Sequence, residues 1–375
     1  MRNFELEVYL AQWEFRARYH MTASDIESMS IAQLLEMASV EQKATLDDLW
    51  LGYTETLGSP ALREEIAHTY DEINAKDILC FAGAEEGLYT AMKVLLDKED
   101  HAIVVVPNYQ ASETIPMESC EVTGVALRPE DGWQLDIDEI RNSLRPNTKL
   151  ISINFPHNPT GVILERNRLD DLVNLCRERG LYLFSDEVYR LIERDSSLRL
   201  PQVADIYEKG LSLNVMSKAY GLPGLRIGWI ATKDHKLLER MERYKHYLSI
   251  CNSAPSEFLA TIALKARDRI LERNRALVDH NAQLLDAFFT EFSELFSWKR
   301  PDGGCVGYPL YKGLEGADAF CEDLLKNSGV LLLPPKVYRS PLAESPIDRF
   351  RIGFGRKNME EGLEVFRRYL HGDRG

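Results

Sequence analysis

The chain of 375 residues is 45% hydrophobic and 28% charged, and it carries a formal net charge of −14. Its length is enough for a large buried core shared by two lobes of one catalytic unit. The acidic balance excludes a nucleic acid held by a basic surface, and no apolar run reaches the roughly 20 residues that a membrane-spanning helix needs.

In chain order, the N-terminal stretch MRNFELEVYLAQWEF mixes acids into its apolar positions and lacks the continuous apolar region of a secretory signal. Cysteines stand at 80, 120, 176, 251, 305 and 321 with no CxxC pair. That is the pattern of reduced thiols in a cytoplasmic protein, with neither a disulfide framework nor a metal site expected. Residues 13–30, WEFRARYHMTASDIESMS, mix aromatic, basic and hydroxyl side chains without one clean helical stripe, and IAQLLEMA follows to residue 38. The run 78–96 reads as a strand, a Gly turn and a helix. Short β-branched runs follow at 102–106, 121–127, 149–155, 181–184, 211–216 and 227–232. Between them lie amphipathic segments such as 164–179, which Gly180 can terminate. Strands alternating with helices predict an α/β fold, a mostly parallel sheet covered on both faces, with ligands at the carboxyl ends of the strands. From about Pro255 the pattern turns to long helices, 257–292 the longest. The expected division is a large domain over 45–260 and a small α+β domain built from 1–44 and 261–375.

Three polar clusters follow strand runs directly: 156-PHNPTG-161, 185-SDEVYR-190, and Ser217-Lys218 with Arg226. Each alone has a plain structural reading: the first as a turn, the second as a helix cap, the third as a solvated loop charge. Yet Lys218 and Arg226 flank a Gly/Pro turn between two apolar strands, where a charge is costly unless something of opposite sign meets it.

Together the clusters resemble the class I/II aminotransferase family of fold-type-I pyridoxal-5′-phosphate (PLP) enzymes, over about Gly52 to Arg351. That family orders an Asn-Pro-Thr-Gly turn, an Asp-x-x-Tyr, a Ser-Lys and an Arg, and here Asn158 is followed by Asp186 after 28 residues, Lys218 after 32 more and Arg226 after eight more. The resemblance implies a seven-stranded, mostly parallel sheet with a smaller α+β lobe, and PLP as cofactor. It implies that Lys218 links covalently to the cofactor aldehyde, that Asp186 pairs with the pyridine nitrogen, and that Asn158 and Tyr189 hydrogen-bond the ring's 3′ oxygen. Ser217 and Arg226 would hold the phosphate, facing backbone amides near Gly83, Ala84 and Glu85 at a helix N-terminus. Tyr109 matches an aromatic that stacks on the ring. Tyr53, in 52-GYTETLGSPALREEIA-67, matches a tyrosine that reaches the neighbouring subunit's phosphate, which implies a homodimer; Arg63 in the same segment reads as structural. Arg351, in 349-RFRIGFG-355, would bind the substrate α-carboxylate, with Arg349 and Arg356 as alternatives on a shift of register.

The sequence departs from the family in three places. Ala82 and Ala84 offer no hydroxyl to a phosphate, and Val215 stands where many members carry serine or threonine. The N-terminus lacks the usual glycine-proline stretch, and residues 13–38 together with 303-GGCVGYP-309 are similar to a subgroup that includes capreomycidine synthase, a PLP enzyme that cyclises a hydroxylated arginine. Residues from about Trp13 to Ser30 are read either as a packing segment or as a lid in which Arg16, Arg18 or Ser28 contacts substrate. The resemblance implies an aminotransferase acting on an amino acid and a 2-oxo acid. A PLP lyase or cyclase is the alternative, and a PLP-binding protein without turnover a more distant one. A nicotinamide dehydrogenase is disfavoured by the lack of a strand-linked GxGxxG.

Overall fold

The computed structural model describes residues 1–372. Its centre is a seven-stranded sheet, here numbered β1 (Ile78–Phe81), β2 (His101–Val106), β3 (Glu121–Ala126), β4 (Thr148–Asn154), β5 (Tyr182–Asp186), β6 (Gly210–Val215) and β7 (Gly228–Ala231). The spatial order is β1-β7-β6-β5-β4-β2-β3. β7 runs antiparallel to both β1 and β6, and all other pairs are parallel. The near-continuous burial of all but the edge strand β3 follows from helices on both faces. Alternation along β1 divides the core: Leu79 and Phe81 join the cluster beneath the helix Ala84–Leu95, while Ile78 and Cys80 join the opposite one.

The amphipathic segment after β4 forms the helix Arg166–Arg179, and Gly180 ends it in the left-handed conformation at φ 68°. The expected long helix over 257–292 is two helices, Ala254–Lys265 and Arg267–Glu291, hinged at Ala266. No glycine or proline marks that break; Arg267 Nη1 donates to the Leu264 carbonyl across it.

The N-terminal segment is stitched to the C-terminal third. Tyr19–His20 pairs in parallel with Val330–Leu331, and Gly353 N donates to the Met21 carbonyl. A side chain at Gly353 would collide with the Ala23 carbonyl, and one at Gly355 with that of Asp25, so these two glycines let residues 21–25 lie directly on the following chain. Among the described residues no helix is long and apolar enough to cross a membrane.

Candidate active site

The parallel register brings the carboxyl ends of the strands into one row, with Asn154 beside Asp186 and Asp186 beside Leu213. The chain leaves β4 into the Pro-His-Asn-Pro turn, β5 into Glu187–Tyr189, and β6 into Ser217-Lys218. Asn154 clamps two of these exits: its Nδ2 donates to the Asp186 carbonyl at 2.9 Å and its Oδ1 accepts from Asn158 N at 2.9 Å. His157 fixes the turn from below, with Nε2 2.8 Å from the Pro107 carbonyl and Nδ1 2.8 Å from Thr160 Oγ1. A carbonyl can only accept, so Nε2 carries the proton. Burial pushes His157 down to about 4 and keeps it neutral.

These exits open on a cavity of about 620 Å³ lined by Asn158, Asp186, Tyr189, Ser217, Lys218, Arg226, Tyr109, Ala84, Glu85 and Arg351. Gly83 stands directly behind it as the N-cap of the helix Ala84–Leu95. The helix aims its free N-terminal amides at the cavity, and Arg226 comes to the same place from the β6–β7 turn. Gly83 has φ +102°, and a Cβ there would lie 2.6 Å from Arg226 Nη2; only glycine leaves room for the guanidinium. Arg226 Nη1 donates to the Pro223 carbonyl, and among the described residues Arg226 has no carboxylate partner. A helix N-terminus beside an unmatched guanidinium and the Ser217 hydroxyl fits a phosphate. Ala82 contributes no donor, because its amide already meets Glu86 Oε2 at 2.6 Å.

Asp186 lies one strand away. Burial pushes its carboxyl up to about 6, against the Val188 amide and Lys218, which favour the anion. Such an acid gains from a cationic ring nitrogen. Lys218 is held below its usual value by burial first; Asp25, Asp186 and Cys305 oppose that shift and Arg351 adds to it. Its Nζ lies 2.8 Å from Ser24 Oγ and 5.9 Å from the centre of the Tyr189 ring. Tyr109 lines the opposite side, its hydroxyl donating to Glu7 Oε1 at 3.1 Å. Glu85 brings its side chain as well as its amide: enclosure, then Glu7 and Asp186, push it up to about 7, although the residue stays exposed to the open cavity.

Arg351 is almost wholly buried at 2% exposure. Its Nη1 donates to Asn158 Oδ1 at 3.0 Å and to Tyr338 Oη at 2.8 Å, and its Nη2 to the Thr22 carbonyl at 2.7 Å. Its Nε has no partner. Of the two alternatives, Arg349 points away, over the Trp133 ring and toward the Tyr308 carbonyl. Arg356 does line the cavity, but Asp25 already holds its Nη2 with both oxygens at 2.9 Å.

The structure corrects the reading of the N-terminal segment. Arg16, Arg18 and Ser28 do not line the cavity; Arg18 packs on Gly329 and Tyr19, and the Ser28 carbonyl accepts from Arg273. Glu14, Phe15, His20, Thr22, Ala23, Ser24 and Asp25 line it instead, because the pairing of Tyr19–His20 with Val330–Leu331 sets which residues turn inward. Burial pushes His20 down to about 4. Ser24, Asp25 and Tyr338 carry no motif, and only the fold brings them in. Tyr53 does not line this cavity: it is 93% exposed, near the exposed Trp50 and Leu51. Arg63 is structural as expected, bonding the Gly58 and Ala75 carbonyls and Glu55.

The family model for aminotransferase class I and II matches residues 23–366. The chain belongs to this family. Capreomycidine synthase of Streptomyces vinaceus is 28% identical over 363 residues, covering 96% of this chain and 91% of that one. The arginine–pyruvate transaminase of Pseudomonas aeruginosa is 29% identical over 314 residues, covering 79% and 78%. The crystal structure of a PLP-dependent aminotransferase from Streptococcus suis superposes with a TM-score of 0.92 at 31% identity, covering 100% of this chain and 99% of that one. Membership carries the fold-type-I architecture seen here and implies PLP as the cofactor.

Proposed function

We propose that the protein is a PLP-dependent aminotransferase that moves an amino group between an amino acid and a 2-oxo acid. The observation that carries this is the convergence on one cavity of a half-buried lysine, a buried acid and a helix N-terminus met by the Arg226 guanidinium, with a buried arginine beside them. The amides of Gly83, Ala84 and Glu85, with Ser217 and Arg226, would hold the cofactor phosphate, and Tyr109 would stack on the ring. Asp186 would hold the ring nitrogen's proton, and Asn158 and Tyr189 would bond the 3′ oxygen. When bound, the cofactor supplies a covalent carbonyl for Lys218 and an electron sink for the substrate's α-carbon. Lys218, made less basic by burial, would take and return the α-proton through Nζ. Arg351 would bind the α-carboxylate through its free Nε and an adjacent nitrogen, at a cost to its contact with Asn158 or Thr22.

A cyclase or lyase outcome is the second reading. It is favoured by the match to capreomycidine synthase along 96% of the chain and by an N-terminal segment that supplies side chains to the cavity. Incubation with a panel of amino acids and 2-oxo acids separates the two: a new 2-oxo acid with equimolar new amino acid supports transfer, whereas a cyclised product that retains its amino group, or a 2-oxo acid formed with free ammonia and no new amino acid, supports the second reading. We also propose a homodimer, supported by the exposed Trp50, Leu51, Tyr53, Tyr247 and Ile250, in which Tyr53 reaches the partner's phosphate site. The proposed division at about residues 44 and 260 is supported by the seating of residues 19–27 on the C-terminal third.

A further inference from the structure

We propose that Ser24 is a positioning residue for Lys218, its hydroxyl fixing the free lysine amine and stabilising the amine's protonated form. Ser24 Oγ lies 2.8 Å from Lys218 Nζ across 194 residues of sequence, and among the described residues the Lys218 amine makes no other hydrogen bond and no ion pair. Burial holds the Tyr189 phenol well above its ordinary value, and the same hydroxyl acts against that rise. A serine hydroxyl can accept from the amine while donating to the phenol oxygen, so Ser24 links the two side chains that the functional reading places on either side of the reacting bond.

The hydroxyl is held from both sides. Met21 and Ala23 are buried, Gly353 N donates to the Met21 carbonyl and Glu27 N to the Gly355 carbonyl, and Gly353 and Gly355 admit the Ala23 and Asp25 carbonyls where any side chain would collide. Ser24 therefore sits at the middle of a clamped stretch and not on a free loop. A lysine has four rotatable bonds, and once released from a covalent partner a buried amine needs an acceptor to hold its direction.

The group it acts on is surrounded by charge. Asp25, Asp186 and Cys305 favour the ammonium, Arg351 opposes it, and Glu14 faces it with Arg356 close by. Ser24 adds the one direct acceptor. Because a hydroxyl oxygen bonds an ammonium more strongly than a neutral amine, its loss lowers the basicity of Lys218. The sign is fixed: less stabilisation of the protonated form moves the titration to lower pH.

The test uses the full-length protein freed of cofactor, with Lys218 acetylated by trace acetic anhydride across a pH series and quantified by peptide mass spectrometry. In Ser24→Ala the labelling midpoint should fall by about one pH unit, a tenfold change in proton affinity. Ser24→Thr should keep the original midpoint, and Ser24→Cys, a weaker acceptor of similar size, should fall between. An unchanged midpoint in Ser24→Ala, or an equal shift in Ser24→Ala and Ser24→Thr, would overturn the proposal. The proposal rests on Lys218 being the cofactor lysine, which borohydride trapping of the loaded enzyme decides separately. An adduct on another lysine overturns that reading, whereas an adduct on Lys218 with an unmoved midpoint overturns the role of Ser24 alone.

Discussion

The floor and the roof of the cavity solve the problem of buried polarity in opposite ways. The floor, made by the strand ends, carries groups left unmatched by the protein: Asp186 is pushed up to about 6 by burial, and Arg226 faces a helix N-terminus with no carboxylate among the described residues. The roof, made by residues 20–25 and the C-terminal third, is largely matched already, with Asp25 on Arg356 and the Thr22 carbonyl on Arg351. An unmatched buried charge such as Asp186 destabilises a fold, and the exposed Arg226 stands unpaired at the cavity edge, so a floor of this kind is kept for a ligand that completes it. A matched roof can orient a smaller molecule that comes and goes without leaving charges bare.

The largest effect that sharpens this comparison is expected from Lys218→Ala. Removing a base and covalent partner together should lower turnover by at least ~10⁴-fold, with no borohydride-stable adduct on the intact protein by mass spectrometry. Residual turnover within tenfold of the parent would move the chemistry elsewhere.

Asp186→Asn breaks the floor while keeping its shape. Turnover should fall by roughly 10²–10³-fold, because an amide cannot hold the ring nitrogen's proton. The cofactor-free protein should respond the other way. The folded carboxyl near 6 lies above its unfolded value of 3.8, so the folded state binds more protons between those values and the parent loses stability as pH rises from about 4 to 6. Asp186→Asn should abolish that slope and gain up to ~3 kcal/mol at pH 8, read by urea melts at several pH values. Parallel curves for parent and variant would show that Asp186 is not an unmatched acid.

Arg351→Lys sits where floor meets roof. It keeps the charge but loses the planar fork, so KM for the amino acid should rise roughly 10–100-fold with a smaller change in kcat. A change in kcat alone would place Arg351 outside carboxylate binding. The smallest effect concerns the roof's outer edge. Hydrogen exchange with a substrate analogue should gain protection by at most about tenfold, confined to residues 1–18, because 19–27 are already clamped. Protection that appears first at 19–27 would show that the inner segment is the moving part.

Much of this molecule was legible in its sequence. The β-branched runs at 102–106, 149–155 and 211–216 became strands within a residue or two, since apolar runs and Gly180-type stops act over a few residues. The motifs brought Asn158, Asp186, Tyr189, Ser217 and Lys218 together because each follows its own strand and parallel pairing aligns those exits, while Arg226 joins them from the turn that enters the antiparallel β7. What the sequence did not determine is which distant segment closes over them. The hinge at Ala266, the turning of Arg349 away from the cavity and the Tyr338 hydroxyl on Asn158 are long-range outcomes of packing, and the entry of His20, Ser24 and Asp25 in place of Arg16, Arg18 and Ser28 goes with the pairing of residues 19–20 with 330–331. That pairing joins segments over 300 residues apart. Local periodicity carries no information about it, and only the packing of the whole chain decides it.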